Sequence, residues 1–302
     1  MNTFQLRCFL TVANTLNFAR AAEQVQISQP AITHQIKSLE DELNVKLFRR
    51  TTRVVELTPE GEAFIADARS MIAIEEQAKL RFGHPNDGVI EPLSIGCGSY
   101  IQLGLLAETL RALLANRPAL HPRLFAVPHD RLFHLLETGS ADVILDVREG
   151  SGAKGDFAFQ ELRRSALVCA CRADHPWAGR GSAAVGDLAS QKLIFCDPVN
   201  LSPDIAKLQW RLLEGRSPAD AHFCDSSDSA IVLARAGFGL AILPELFVPG
   251  AEDLAKVEIA EAPKLSFGMF YRPSSESAAL ARFLREARRQ FSQDAGRRGE
   301  SA

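Results

Sequence analysis

FARAAEQVQISQPAITHQIKSL, residues 18–39, holds two short helical patterns separated by a sharp break. Phe18, Ala21, Ala22 and Val25 recur at steps of three and four, which puts them on one face of a first helix. Ile27 is placed to close the core between that helix and the next. Ser28 stands where a second helix needs a cap, because its hydroxyl accepts an N–H that the first turn leaves unpaired. Pro30 costs little so early in a helix, since its missing N–H had no carbonyl to meet. The second helix is predicted to bury Ile32, Ile36 and Leu39 and to leave Gln29, Thr33, His34 and Lys37 outside. Two helices joined in this way, with a polar outer face on the second, fit a helix-turn-helix that docks in a major groove. An ordinary helical core has the same local pattern, so the neighbouring residues must decide.

The continuation favours nucleic acid. LFRRTTRVVELTPEG, residues 47–61, sets Arg49, Arg50 and Arg53 beside a strand-like VVEL run, which reads as a basic hairpin able to neutralise phosphates beside a docked helix. Upstream, Phe4, Leu6, Phe9, Leu10, Val12 and Ala13 supply a further helix to complete a three-helix core. The net charge of -3 over 302 residues hides a basic surplus in the first 58 residues against an acidic remainder.

That length suggests about two domains, and 46% hydrophobic content permits substantial cores. Thr58, Pro59 and Glu60 form a helix start, and the helix is predicted to run to about Phe82. Phe64, Ala68, Met71, Ile72, Glu75, Ala78 and Phe82 trace a stripe along it that a small domain cannot cover alone, so a second copy of the chain is the expected cover. Packing within its own chain is the alternative. HPNDG, residues 84–88, then reads as a linker.

Beyond the linker the pattern turns to alternating strands and helices: PLSIGC at 92–97, a helix at 100–118, LFAV at 124–127, a helix at 130–139 and ADVILD at 141–146. A second unit begins near Arg164 with SALVCAC, KLIFC at 192–196, a helix at 203–214, HFC at 222–224, a helix at 227–236 and GLAIL at 239–243. One strand, LSFGMFYR at 265–272, and a helix from Ser277 to Phe291 remain, and are expected to return to the first unit. This is the pattern of mostly parallel sheets with covering helices, in two lobes joined by two chain crossings and separated by a cleft.

No signal peptide or membrane span is visible, so the chain is expected to be cytoplasmic and to have no membrane partner. Its six cysteines are scattered without metal-ligand spacing, and Cys169 and Cys171 in the ALVCAC run are expected to be buried small side chains. No metal site and no resident cofactor are expected.

The stretch from Phe18 to Gly61 resembles the signature of LysR-type bacterial transcriptional regulators, and SDSAIVLARAGFGLAILPE, residues 227–245, resembles their effector domain. The resemblance implies an α+β multidomain chain: a winged helix-turn-helix at 1–58, a linker and dimerisation helix at 59–83, a hinge linker at 84–89 and a two-lobed α/β effector domain at 90–302 resembling type 2 periplasmic binding proteins. Lobe I is expected at about 90–163 plus 268–295, and lobe II at about 164–267. It also implies double-stranded promoter DNA, a small metabolite of unknown identity, self-association as homodimer or homotetramer, and RNA polymerase as partners.

By the same resemblance Gln29, Pro30, Thr33, His34 and Lys37 lie in the recognition helix, with Arg50 and Arg53 in the wing. Gln29 has the donor and acceptor suited to adenine, whereas Pro30 shapes the helix start. The family commonly carries arginine where His34 stands, and neutral histidine offers a single donor. For the effector, Gly98, Ser99 and Tyr100 follow the first strand of that domain, and Val127, Pro128 and His129 sit at the second strand-to-helix junction. Asp197 to Leu201 and Ser226 to Ser229, including Ser227, are candidates from the other lobe. Helix capping is the alternative role for each serine. An enzyme built from Ser99, Cys97 and His129 is a competing reading, but no activated-nucleophile motif surrounds them, and GFG at 237–239 is not a dinucleotide fingerprint. A ligand-binding scaffold that has lost DNA recognition is another. The expected mechanism is a metabolite between the lobes that favours one arrangement of lobes or subunits and so alters DNA bending.

Overall fold

The structure, a computed structural model, describes residues 1–50, 55–82, 90–116, 119–148, 156–274 and 277–299, except the side chains of residues 50, 77, 80–82 and 294–299. The chain divides into two compact units, Met1–Val89 and Ile90–Ala302. The predicted linker at 84–88, like Arg53, falls outside the described residues.

In the first unit three helices, α1 (Thr3–Thr15), α2 (Phe18–Val25) and α3 (Gln29–Leu43), precede a two-stranded ribbon and a long helix. Asn2 and Gln5 close α1 with a reciprocal capping box, each side chain accepting the other's N–H at 2.9 Å. Leu6, Phe9 and Val12 meet Phe18, Ala21, Ile32 and Ile36 in one core. Phe4 differs from expectation: it lies in the first turn of α1 and is exposed, while Leu6, Cys8, Phe9 and Val12 are buried. Strands β1 (Phe48–Arg50) and β2 (Val55–Leu57) pair antiparallel, with Phe48 opposite Leu57 and Arg50 opposite Val55.

Helix α4 (Pro59–Phe82) starts on Thr58, whose Oγ1 accepts the Gly61 N–H at 2.9 Å. Gly61 packs so close to the ribbon that a Cβ would lie 2.2 Å from the Leu47 carbonyl oxygen. The α4 stripe is covered in its first half, where Ala68 is buried and Phe64, Met71 and Ile72 pack on the core. Farther along, Glu75 accepts the Thr3 hydroxyl at 2.9 Å, and Ala78 is exposed.

The second unit holds two sheets. Chain order runs β3 (Glu91–Cys97), α5 (Tyr100–Gly104), α6 (Ala107–Asn116), β4 (Leu120–Ala126), α7 (His129–Glu137), β5 (Val143–Arg148) and β6 (Ala158–Ser165). It continues with β7 (Leu167–Arg172), β8 (Ser182–Ala183), β9 (Leu193–Cys196), α8 (Pro203–Leu213), β10 (Ala221–Cys224), α9 (Ser227–Arg235) and β11 (Leu240–Pro244). Strands β12 (Leu254–Ile259) and β13 (Leu265–Tyr271) and helix α10 (Ala278–Gly299) complete it.

The first sheet has the order β4-β3-β5-β13-β6 and the second β10-β9-β11-β7-β12-β8. Strand β13 returns to the first sheet between β5 and β6, so the chain crosses between lobes twice, after β6 and before β13. In each sheet three neighbouring strands are parallel and β13 or β7 runs antiparallel beside them, so the sheets are mixed rather than mostly parallel. The expected helix at 100–118 is two helices, Tyr100–Gly104 and Ala107–Asn116, with a turn at Leu105 and Leu106; Gln102, Leu106, Thr109 and Leu113 nonetheless stay on one buried face. Cys169 and Cys171 are both buried. Being two apart on β7 they share a face, and burial pushes the Cys169 thiol up to about 12.

Candidate functional site

The first candidate surface is the outer face of α3. The turn before it is tight because Gln26 adopts the left-handed conformation, φ 60°, at the end of α2. Ser28 then caps α3, its Oγ accepting the Ala31 N–H at 3.3 Å. With Ile32, Ile36 and Leu39 fully buried, the helix cannot rotate without exposing them. Gln29, Pro30, His34 and Lys37 are exposed and Thr33 is half-buried, so Gln29, Thr33 and Lys37 follow one another turn by turn along the outside. No acidic residue lies in the first turn of α3, which leaves its positive end open to phosphate.

Glu40 joins this helix to the ribbon. It is 5% exposed, and its Oε1 accepts the N–H of Leu47 at 2.9 Å and of Phe48 at 3.2 Å while Oε2 pairs with Lys46 at 3.0 Å. A carboxylate inside α3 therefore fixes where β1 begins, and with it the wing. Arg49 is exposed there; Arg50 is placed by its main chain opposite Val55. Glu40 is not legible in the sequence, because an acid in LEDEL has the pattern of a solvated helix face.

The second candidate lies between the two sheets of the larger unit. Gly98, Gln102, His129 and Asp146 from one lobe and Asn200, Ser202 and Ser227 from the other line a space of about 30 Å³. Gln102 is 4% exposed and its Oε1 accepts the Gly98 N–H at 2.7 Å. His129 Nδ1 lies 2.7 Å from Asp146 Oδ2, both side chains nearly buried. Across the cleft, Asn200 Nδ2 donates to the Asp225 carbonyl at 2.6 Å, which leaves Oδ1 turned the other way. That Oδ1 and the Ser202 Oγ are buried and find no hydrogen-bond partner among the described residues. Ser202 precedes α8 without capping it through its side chain.

Of the residues named from the sequence, Gly98, His129 and Ser227 thus come together on the cleft, with Asn200 and Leu201 from the range Asp197 to Leu201. Ser99 does not line it: its Oγ caps α5 by accepting the Gln102 N–H at 3.2 Å. Tyr100 is 75% exposed, and Ser226 caps α9 through the Ser229 N–H at 3.2 Å. Asp197 accepts the Val199 N–H at 3.1 Å in a short turn and faces a different cavity. Burial drives the Cys97 thiol above its ordinary range, with the Asp146 charge adding to it, so it is held protonated rather than activated.

Residues 4–62 match the bacterial regulatory helix-turn-helix protein family of lysR type, and residues 86–292 match the LysR substrate binding domain. The chain belongs to the LysR family. Among curated relatives of this LysR-type regulator is the DNA-binding transcriptional dual regulator OxyR of Escherichia coli K12, 30% identical over 95% of this chain and 94% of its own. The LysR family regulator CbnR superposes over 96% of this chain and 99% of its own with a TM-score of 0.74 at 24% identity. Full-length CbnR bound to its target DNA gives a TM-score of 0.70 at 23% identity over 96% of this chain and 99% of that one. At those identities the two structures establish the fold of the LysR-type chain. The curated relative establishes the role, a DNA-binding transcriptional regulator with an effector-binding domain. Among the described residues, no helix of the regulator is long and apolar enough to cross a membrane.

Proposed function

We propose that this regulator senses a small hydroxylated metabolite in the cleft between its lobes and transmits its binding to promoter DNA held by α3. The observation that carries the reading is the pair of buried polar atoms, Ser202 Oγ and Asn200 Oδ1, that have no described protein partner. A native fold seldom leaves such atoms unpaired, and each costs about 1–3 kcal/mol if left so. Asn200 Oδ1 calls for a donor and Ser202 Oγ takes either, which is what a ligand hydroxyl offers. A space of about 30 Å³ suits only a water or two, so the metabolite enters as the lobes part and stabilises a different spacing between them.

On the DNA side Gln29 and Thr33 reach base edges, His34 supplies a single-donor contact, and Lys37, Arg50 and Arg53 meet phosphate, with Pro30 setting the start of the helix. The chain works in the cytoplasm by binding rather than catalysis and without a resident cofactor. It associates as a dimer or tetramer through the far half of α4 and engages RNA polymerase.

A thermal-shift screen of small hydroxylated metabolites on the full chain tests the cleft. A true ligand at a hundredfold its Kd adds about 2.7 kcal/mol to stability, and Ser202→Ala is expected to weaken that effect. A hit whose shift is untouched by both Ser202→Ala and Asn200→Ala places the effector elsewhere. DNase protection of an operator with and without a validated hit then tests transmission, and identical footprints at saturation sink it.

A further inference from the structure

Two thiols outside the cleft face each other. Cys196 ends β9 and Cys224 ends β10, and the register of these parallel neighbours sets the two residues directly opposite. Paired positions on adjacent strands are about 4.7–4.9 Å apart and project to one face, within the Cα span a disulfide accepts, about 4.4–6.8 Å. The sulfurs are 3.6 Å apart, so rotation of the side chains suffices to bring them to the bonded distance of about 2.0 Å. Strand β10 is the edge of its sheet.

Both thiols open on a cavity of about 450 Å³ whose apolar wall is formed by Phe195, Trp210, Leu213 and Phe223. Cys196 is 3% exposed, whereas Cys224 is only half-buried and so is the sulfur a reagent meets first. A hydrogen bond from Cys196 holds the Cys224 thiol below its ordinary range, with a weaker contribution from the backbone at Ser226, and the same pairing pushes Cys196 up. The nucleophile and the resolving thiol are therefore distinct.

We propose that Cys196 and Cys224 form a reversible disulfide by exchange with a low-molecular-weight disulfide that enters this cavity. The Cys224 thiolate attacks one sulfur of the reagent: a protein–reagent S–S bond forms, the reagent's own S–S bond breaks, and one thiolate leaves. Cys196 then loses its proton and attacks Cys224 Sγ. The internal S–S bond forms, the mixed disulfide breaks, and the second reagent thiolate leaves. The two protein protons end on the two released thiols, and two electrons pass from the protein to the reagent. The cavity has room for the reagent half of the mixed disulfide between the two steps.

Oxidised and reduced glutathione in graded ratios serve as the probe on the full chain, followed by alkylation of remaining thiols and peptide mass spectrometry. The expected product is a linked pair of peptides carrying Cys196 and Cys224, two hydrogens lighter than the reduced pair, and reversed by dithiothreitol. Cys224→Ser is expected to leave Cys196 unreacted. Full alkylation of both cysteines in the folded chain under wholly oxidised glutathione overturns the proposal. So does a product that stops at glutathione on Cys224 with Cys196 still free.

Discussion

Asp228, in the first turn of α9 on the second lobe, accepts the main-chain N–H of Tyr100 at 3.1 Å and of Ile101 at 3.2 Å on the first. One carboxylate thus serves the starts of two helices in different lobes. Removing it by Asp228→Ala is expected to cost about 1.5–3 kcal/mol, the range for hydrogen bonds to a charged group. The loss falls on the closed arrangement of the lobes. Small-angle scattering of the chain in solution should show a larger radius for the variant without effector, and an unchanged radius and melting temperature would count against the bridge.

Glu40→Ala is expected to destabilise the first unit by about 3 kcal/mol, since it strands two buried N–H groups. Glu40→Gln keeps one acceptor and should recover part of the loss. Urea unfolding of both variants, with DNA binding measured well below the transition, separates fold from function. The wing hangs on this carboxylate, so affinity should fall in the alanine variant even where it remains folded.

Contacts to phosphate and to bases leave different signatures. Arg50→Ala should weaken specific and nonspecific DNA alike and lower the slope of log affinity against log salt by about one. Gln29→Ala should instead lose about 1–3 kcal/mol of discrimination at a single base pair. Competition binding across single-base variants of one operator checks both, and selective loss in the Arg50 variant contradicts a phosphate role.

Cys8 is fully buried on the inner face of α1, and burial pushes its thiol up to about 11 from an ordinary 9.0. A folded-state value above the unfolded one means that the native chain holds the proton longer, so stability is intact below pH 9 and falls as pH rises toward 11. The loss is on the order of 2 kcal/mol. Cys8→Ala should flatten the alkaline limb of stability against pH, read by urea unfolding of the first unit.

The helix-turn-helix was readable because everything that makes it is local: a capping serine, an early proline and apolar residues at helical spacing. The long α4 and its start on Thr58 were readable for the same reason. Strand β6 was missed because it lies at a sheet edge and is mostly half-buried, so AFQELRRS shows no clean apolar run. The break between α5 and α6 is hidden because Gln102, Leu106, Thr109 and Leu113 keep one helical period of burial across it, and Gly104 is its local mark. In the cleft, Ser227 and His129 are legible from their positions at helix starts, whereas Ser99, at an equivalent position, spends its hydroxyl on a cap. Ser202 was overlooked because a serine before proline looks like a cap, and only the fold reveals that it makes none. The Cys196–Cys224 pairing has no trace in linear spacing, since strand register alone brings the two together.

That register gives the short span from Cys224 to Asp228 an unusual position. Its first residue carries a thiol, its fourth lines the cleft and its fifth holds the other lobe. The two between are pinned, Asp225 through its carbonyl to Asn200 and Ser226 through its hydroxyl to Ser229. So little chain has no slack to absorb a displacement. A disulfide at Cys224 and a ligand beside Ser227 would therefore act on the same five-residue span, which also carries the Asp228 contact to the other lobe.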